Sequence, residues 1–203
     1  MIWIDDVLVS RGEGGVYGER ILDNSRVWDP YRSKLAALYY LGPAPELTPD
    51  LKVLYLGAAN GTTVSHVADY VECVYAVEVA PRPMQDLIAV AERRENIIPI
   101  MADARQVESF APLLEMIDVL YQDVAQPDQV AIAIRNSIFL RPGGKMIIML
   151  KTRSISISEE PVVIVERAIR ELNGAGFHII HSGWLDPYHK DHAALLCSMG
   201  RGT

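Results

Sequence analysis

Two strand-like apolar runs near the C-terminal end, 177–185 and 193–199, are joined by only seven residues. A parallel pair needs a crossover of about a dozen residues or more, usually a helix, so these two runs must pair antiparallel. From Lys52 to that point the chain keeps a different rhythm. Apolar runs with β-branched residues at 52–58, 74–80, 96–102, 117–123 and 145–151 alternate with helical patterns at 62–71, 82–94, 106–116, 128–140 and 159–173. The last helical pattern has Pro161 in its first turn and Gly174 at its end, the usual helix asymmetry. Alternation of this kind predicts an α/β fold, with a parallel sheet covered by helices on both faces. The hairpin completes a seven-stranded, mostly parallel sheet with an antiparallel last strand.

Ahead of this rhythm lie short β-like pieces rich in turn residues. Region 1–32 is too small to fold alone and is expected to form a small β appendage. The main domain is expected to run over 33–203. It begins with a helix at 33–42, with Ser33 as N-cap and Gly42 as stop, followed by the Pro-rich connector 43–50. Half of the 203 residues are hydrophobic, ample for one large core. No apolar run is long enough for a membrane span and no signal-peptide pattern opens the chain, so a soluble intracellular protein is expected. Cys73 and Cys197 sit in apolar runs as small core residues, and without a CxxC pair a cysteine zinc site is not expected. The net charge of −7, with no basic block, argues against coating nucleic acid by bulk electrostatics. It leaves room for a local basic site or for a partner that holds the nucleic acid.

The segment YLGAANGTT, 55–63, follows the first strand of the alternation and opens a helix. Small residues there let backbone N–H groups approach a ligand. It is a poor G-x-G-x-x-G because Ala59 replaces the second glycine, and by itself it reads as an ordinary strand–helix turn. Three carboxylates change that. Glu78, Asp103 and Asp123 end the next strands in order, and ligands of open α/β sheets bind outside the carboxyl ends of strands. A glycine loop and three acids on one sheet edge point to a nucleoside cofactor. A second cluster, Asp186, His189, Lys190, Asp191 and His192, crowds the seven-residue link of the hairpin. Its residues could be metal ligands, catalytic groups or a solvated turn. The histidine spacing suits a helix better than a turn, and no further acid–histidine cluster supports a metal.

A doubly wound sheet closed by an antiparallel hairpin resembles the class I methyltransferase fold. The segments VYGER, RVWDPYRSKLAA, VLYLGAANGTTVSH, VYAVE, NIIPIMADA, DVAQP, LKTRSI and DPYHKDHA are similar, in wording and order, to the archaeal fibrillarin family. The similarity covers residues from about 7 onward. Asn60 stands where serine is commoner in that family, and the family usually has a longer N-terminal β-domain, so a shortened appendage is expected.

The resemblance implies an S-adenosylmethionine-dependent methyltransferase acting on RNA ribose 2′-hydroxyls of rRNA, and of tRNA. It carries a Lys-Asp-Lys-His tetrad onto Lys34, Asp123, Lys151 and His192. The chemistry assigns Lys151 as general base or, if it stays protonated, as the group that steers the hydroxyl and stabilises developing alkoxide, with Asp123 orienting it. For the cofactor it implies Gly57, Ala58 and Gly61 in the loop, and Thr62 and Thr63 beside the methionine part. Glu78 and Val79 would meet the ribose and adenine, Asp103 and Ala104 the adenine edge. Asp123, Val124, Ala125 and Gln126 would line the sulfonium side. The implied partners are a box C/D guide RNA with its target RNA, a Nop-family scaffold protein and a kink-turn-binding ribosomal-type protein. The implied compartment is the archaeal cytoplasm. A methyltransferase with another acceptor (an RNA base, a protein or a small molecule) explains the cofactor residues but leaves Lys34 and Lys151 without a task.

Overall fold

The computed structural model describes residues 1–12 and 14–199; the last four residues of the expected main domain, 200–203, lie outside the described residues. The N-terminal strands β1 (Ile2–Ile4), β2 (Val7–Ser10), β3 (Ile21–Leu22) and β4 (Ser25–Val27) form a four-stranded antiparallel sheet in the order β1-β2-β4-β3. Helix α1 (Lys34–Leu41) follows, and the Ser33 hydroxyl accepts from the Ala36 N–H at 3.2 Å, the expected cap.

The main sheet is built from β5 (Lys52–Leu56), β6 (Cys73–Glu78), β7 (Ile97–Met101), β8 (Ile117–Gln122), β9 (Leu140–Lys151), β10 (Phe177–Trp184) and β11 (His192–Met199). Between them run α2 (Thr62–Ala68), α3 (Pro81–Ala91), α4 (Gln129–Asn136), α5 (Thr152–Ile155) and α6 (Pro161–Gly174). The strand order is β10-β11-β9-β8-β5-β6-β7. Strands β5 to β9 pair in parallel, while β11 pairs antiparallel with both β9 and β10, as the short link requires.

Side chains of the central strands alternate between two cores, because successive residues of a strand face opposite ways. Val53, Tyr55, Val119, Tyr121, Ile147 and Met149 face α1, α2 and α3. Leu54, Leu56, Leu120, Met146, Ile148 and Leu150 face α4 and α6. Leu8 and Trp28 of the appendage belong to the first core, so the small sheet buries its apolar face on the larger domain. A buried ion pair fixes this contact: Arg26 on β4 meets Glu19 and Asp69, each at 2.7 Å.

Two sequence expectations need correction. No helix forms over 106–116; the chain makes short 3₁₀ turns at Val107–Ser109 and Ala111–Leu113. Pro112 lacks the N–H a continuing helix needs, and its ring would clash with the carbonyl four residues back. Strand β9 begins at Leu140, five residues before the expected 145, because the Pro-Gly-Gly segment continues the strand toward the register shift opposite Ile117–Val119. No helix among the described residues is long and apolar enough to cross a membrane.

Strand order reverses between β5 and β8. Their carboxyl ends open the crevice where ligands of such sheets bind.

Candidate active site

The crevice holds a cavity of about 320 Å³, within the usual range of small-molecule sites. Gly57 and Ala59 form one wall, with Glu78 and Val79 beside them. Asp103 and Ala104 close a second side, and Asp123 through Gln126 a third. Lys151 reaches in from the end of β9. Nine of the thirteen residues expected around a cofactor thus share one cavity: Gly57, Glu78, Val79, Asp103, Ala104, Asp123, Val124, Ala125 and Gln126.

The other four stand outside its lining. Ala58 is buried in the adjoining core, and Gly61 packs against Leu87 of α3. The Thr63 hydroxyl donates to the Ser33 hydroxyl at 3.0 Å, tying the start of α2 to the cap of α1. Thr62 borders a separate 190 Å³ cavity beneath the appendage, with Trp28, Asp29 and Ser33. Sequence reasoning missed Pro83 and Ile132, which also line the main cavity; each is one apolar face of a helix, with nothing local to mark it.

The loop is shaped by backbone demands. Gly57 and Gly61 both have positive φ, +81° and +86°, the left-handed region glycine enters without strain. The Val77 carbonyl accepts from the N–H groups of Gly57 and Ala58, both at 3.0 Å, which folds the loop over β6. The Glu78 carboxylate accepts from the Ala59 and Ala80 N–H groups, each at 2.8 Å. A carboxylate offers about four lone-pair sites, so Glu78 retains capacity for hydroxyl donors in the cavity. Asp103 is gripped by the Arg105 guanidinium at 2.6 Å, which holds its carboxyl below the usual carboxylate range.

At the mouth, two lysines share one carboxylate. Lys34 Nζ lies 3.0 Å from Asp123 Oδ2, and Lys151 Nζ lies 3.0 Å from Asp123 Oδ1. Lys151 also donates to the Asp123 main-chain carbonyl, at 2.9 Å. All three side chains are mostly buried, 15–19% exposed, so their charges are weakly screened.

His192 is the direct cross-strand partner of Lys151 in the β11–β9 register. Its Nδ1 lies 2.7 Å from the Lys190 carbonyl and therefore carries the proton. Burial lowers its pKa, and the Lys34 and Lys151 charges add to that against the Lys190 hydrogen bond and the Asp123 carboxylate, so the ring is neutral near pH 7. The turn before β11 is pinned by Asp191, whose carbonyl accepts from the Thr152 N–H and hydroxyl and whose carboxylate meets Arg153 at 3.4 Å. His189 is turned inward, with Nε2 at 2.8 Å from the Pro30 carbonyl, so it fastens the hairpin link to the appendage and is not a solvated residue.

A cavity with a glycine loop on one wall, an acid that retains acceptor capacity and a carboxylate beside a cationic rim fits a nucleoside cofactor carrying a positive centre. Comparison with known proteins agrees. The family model described as Fibrillarin matches residues 8–201. A curated "Fibrillarin-like rRNA/tRNA 2'-O-methyltransferase" from Methanoculleus marisnigri is 64% identical over 198 residues, which is 98% of each chain. Among solved structures, the fold matches a fibrillarin/Nop5p complex with a TM-score of 0.93 at 40% identity, covering 98% of this chain and 96% of that one. It also matches Aeropyrum pernix fibrillarin with natively bound S-adenosyl-L-methionine, at a TM-score of 0.83 and 43% identity, over 92% of this chain and 85% of that one. With the family model matching residues 8–201 and a relative 64% identical over 98% of each chain, the chain belongs to the fibrillarin family.

Proposed function

We propose that this protein transfers a methyl group from S-adenosylmethionine to ribose 2′-hydroxyls of guide-selected rRNA and tRNA nucleotides. The observation that carries this reading is the Asp123 carboxylate, set between Lys34 and Lys151 at the mouth of the nucleoside-sized cavity. The cofactor supplies an electrophilic methyl group on a sulfonium.

This chain's own residues do the rest. Gly57, Ala58 and Gly61 shape the loop, with Thr62 and Thr63 at its helical end. Glu78 accepts from ribose hydroxyls, while Val79, Asp103 and Ala104 flank the base. Asp123 faces the positive centre, and Val124, Ala125 and Gln126 close the cavity around it. Lys151, as the neutral amine once it has given one proton to solvent, takes the proton of the target hydroxyl as that oxygen takes the methyl group; Asp123 orients Lys151, and Lys34 balances the carboxylate. His192, neutral, holds the ribose or a lysine by hydrogen bond. Positioning can lower such a barrier by about 7–11 kcal/mol, so the gain depends on how firmly these groups are held.

An acidic chain need not hold RNA alone. The reading places it in a box C/D particle, where base pairing selects the nucleotide, a Nop-family scaffold docks the enzyme and a kink-turn-binding protein anchors the guide, in the archaeal cytoplasm. Residues 33–203 then form the catalytic domain and 1–32 an appendage that braces it.

The test offers labelled S-adenosylmethionine to the assembled particle with a guided target carrying either a 2′-hydroxyl or a 2′-deoxy position. Label on the hydroxyl target alone, reduced about 10²–10⁴-fold by Lys151→Ala, is the expected result. Label on both targets would move the reaction to another acceptor.

A further inference from the structure

Lys151 is the last residue of β9, and it lies beyond the reach of one neighbouring strand. The pairing of β8 with β9 ends at Gln122 opposite Ile148. On the other side β11 continues, with His192 opposite Lys151. The β8 side of the Lys151 backbone would therefore be unpaired, three residues past the last strand partner.

A side chain fills that place. The Lys151 N–H donates to Gln129 Oε1 at 2.9 Å, and Gln129 Nε2 donates to the Lys151 carbonyl at 3.1 Å. Exchange of both bonds with one residue is how a hydrogen-bonded pair meets in an antiparallel sheet. The Gln129 amide thus extends the sheet by one residue. It is itself held, because Gln122 Nε2 donates to the Gln129 main-chain carbonyl at 2.8 Å. Both glutamines are fully buried; Gln129 satisfies both of its amide atoms on Lys151, while Gln122 bonds through Nε2 and leaves Oε1 without a partner among the described residues. Gln122 directly precedes Asp123, so one relay of two amides ties the backbones on which Asp123 and Lys151 stand.

We propose that Gln129 is a positioning residue for Lys151: it fixes the last residue of β9 so that the side-chain nitrogen stays aimed at Asp123 and the cavity mouth. This rests on the reading of Lys151 as the proton acceptor at the transfer site. Without Gln129 the peptide before α5 can tilt about its single remaining strand partner. Small displacements of a reacting group are costly in rate while leaving cofactor contacts intact.

The experiment compares Gln129→Leu and Gln129→Glu with the natural protein, each in the assembled particle. Single-turnover methyl transfer is followed across pH, and S-adenosylmethionine affinity is measured by calorimetry on the full chain. Leucine fills the same space without the amide. The expected result for Gln129→Leu is a rate loss of about tenfold or more with cofactor affinity changed less than about twofold. In Gln129→Glu, burial raises the carboxyl pKa, and its protonated form restores both bonds to Lys151. The rate of that variant relative to the natural protein therefore rises as pH falls.

A natural rate in Gln129→Leu, or rate and affinity falling together, overturns the proposal. If Gln129→Leu does not fold, a pH-independent ratio for Gln129→Glu overturns it instead. Lys151→Ala run in parallel separates the two levels. An impaired Lys151→Ala with an unimpaired Gln129→Leu refutes the positioning role alone. An unimpaired Lys151→Ala refutes the parent reading, and the positioning role with it.

Discussion

A methyl group on Gly57 would lie 2.8 Å from the carbonyl oxygen of Asp123. The Gly57 loop and the Asp123 main chain are therefore in backbone contact, and the Asp123 N–H donates to the Leu56 carbonyl at 2.9 Å just beneath them. Neither backbone can retreat, because both end buried strands. Gly57→Ala also meets a φ of +81°, strained for alanine. The expected outcome is destabilisation of about 1–3 kcal/mol by thermal unfolding. Cofactor affinity should fall about tenfold or more by calorimetry, because the loop can relieve the clash only by moving into the cavity.

Asp123→Asn keeps the shape of the site and removes the one negative charge between Lys34 and Lys151. Two mostly buried ammonium groups then face a neutral amide. The expected cost is about 1–3 kcal/mol of stability, less than for a fully buried pair because water still reaches the rim. Methyl transfer should fall about 100-fold or more in single-turnover assays. Combining Asp123→Asn with Lys34→Ala removes one unpaired cation, so the double variant should melt higher than Asp123→Asn alone while remaining inactive. A lower melting temperature for the double variant would mean that Lys34 stabilises through packing and not through its charge.

The sheet was legible because burial on both faces leaves continuous apolar runs, and because seven residues cannot hold a crossover. The strand-end acids were legible for the same reason: a strand must stop, and polar residues mark where. Lys34 was different. It lies on α1, remote in sequence from Asp123, and only the family wording RVWDPYRSKLAA pointed to it. The failure at 106–116 came from weighting apolar spacing above Pro112. Gln122 and Gln129 left no pattern, since a buried glutamine that imitates a strand neighbour is visible only once the strands are paired. The role of His189 in the hairpin link stayed open in the sequence because no local feature shows that Pro30 stands over it.

Arg26 is fully buried and serves more than the ion pair. It donates to Ser65 Oγ at 2.8 Å and to Glu19 at 2.7 Å, and Glu19 in turn accepts from the Val16 and Tyr17 N–H groups. The Tyr17 hydroxyl donates to the Asn60 carbonyl in the cofactor loop. Arg26→Ala should therefore do two things. It leaves Glu19 and Asp69 buried without their shared cation, at a cost of about 3–5 kcal/mol in denaturant unfolding. It also frees Tyr17, so cofactor affinity should weaken as well. Tyr17→Phe separates the effects: affinity should fall by a few-fold while stability changes by about 1 kcal/mol or less. Natural affinity in Tyr17→Phe would show that the appendage does not reach the cofactor loop.

His66 makes the same interface sensitive to acid. It stacks on Trp28 at 5.1 Å, and its Nδ1 lies 2.8 Å from Ser10 Oγ. Ser10 gives its one proton to Asp69, so His66 must donate to Ser10 from Nδ1. Burial lowers its pKa to about 3, with Arg26 and Arg94 adding to the effect and Glu19 opposing it. Burial alone would raise Glu19, but the hydrogen bond and charge of Arg26 bring it down to about 2. The unfolded chain therefore binds a proton at His66 from about pH 6.5 downward that the folded protein refuses. Stability supplied by the neutral ring is complete above about pH 6.5 and is lost as pH falls toward 3. Glu19 adds its own loss only below about pH 4.5, where free carboxylates begin to protonate. Between pH 6.5 and 4.5 the expected slope from His66 is about 1.4 kcal/mol per pH unit, with smaller additions in the same direction from His189 and His192, whose pKa values burial also lowers. His66→Gln keeps a donor toward Ser10 and cannot titrate. Denaturant unfolding at stepped pH should show its slope in that window reduced by most of that amount, whatever the variant's stability at pH 7. An unchanged slope would mean that His66 is protonated in the folded protein, with Glu19 as its counter-charge at 4.0 Å.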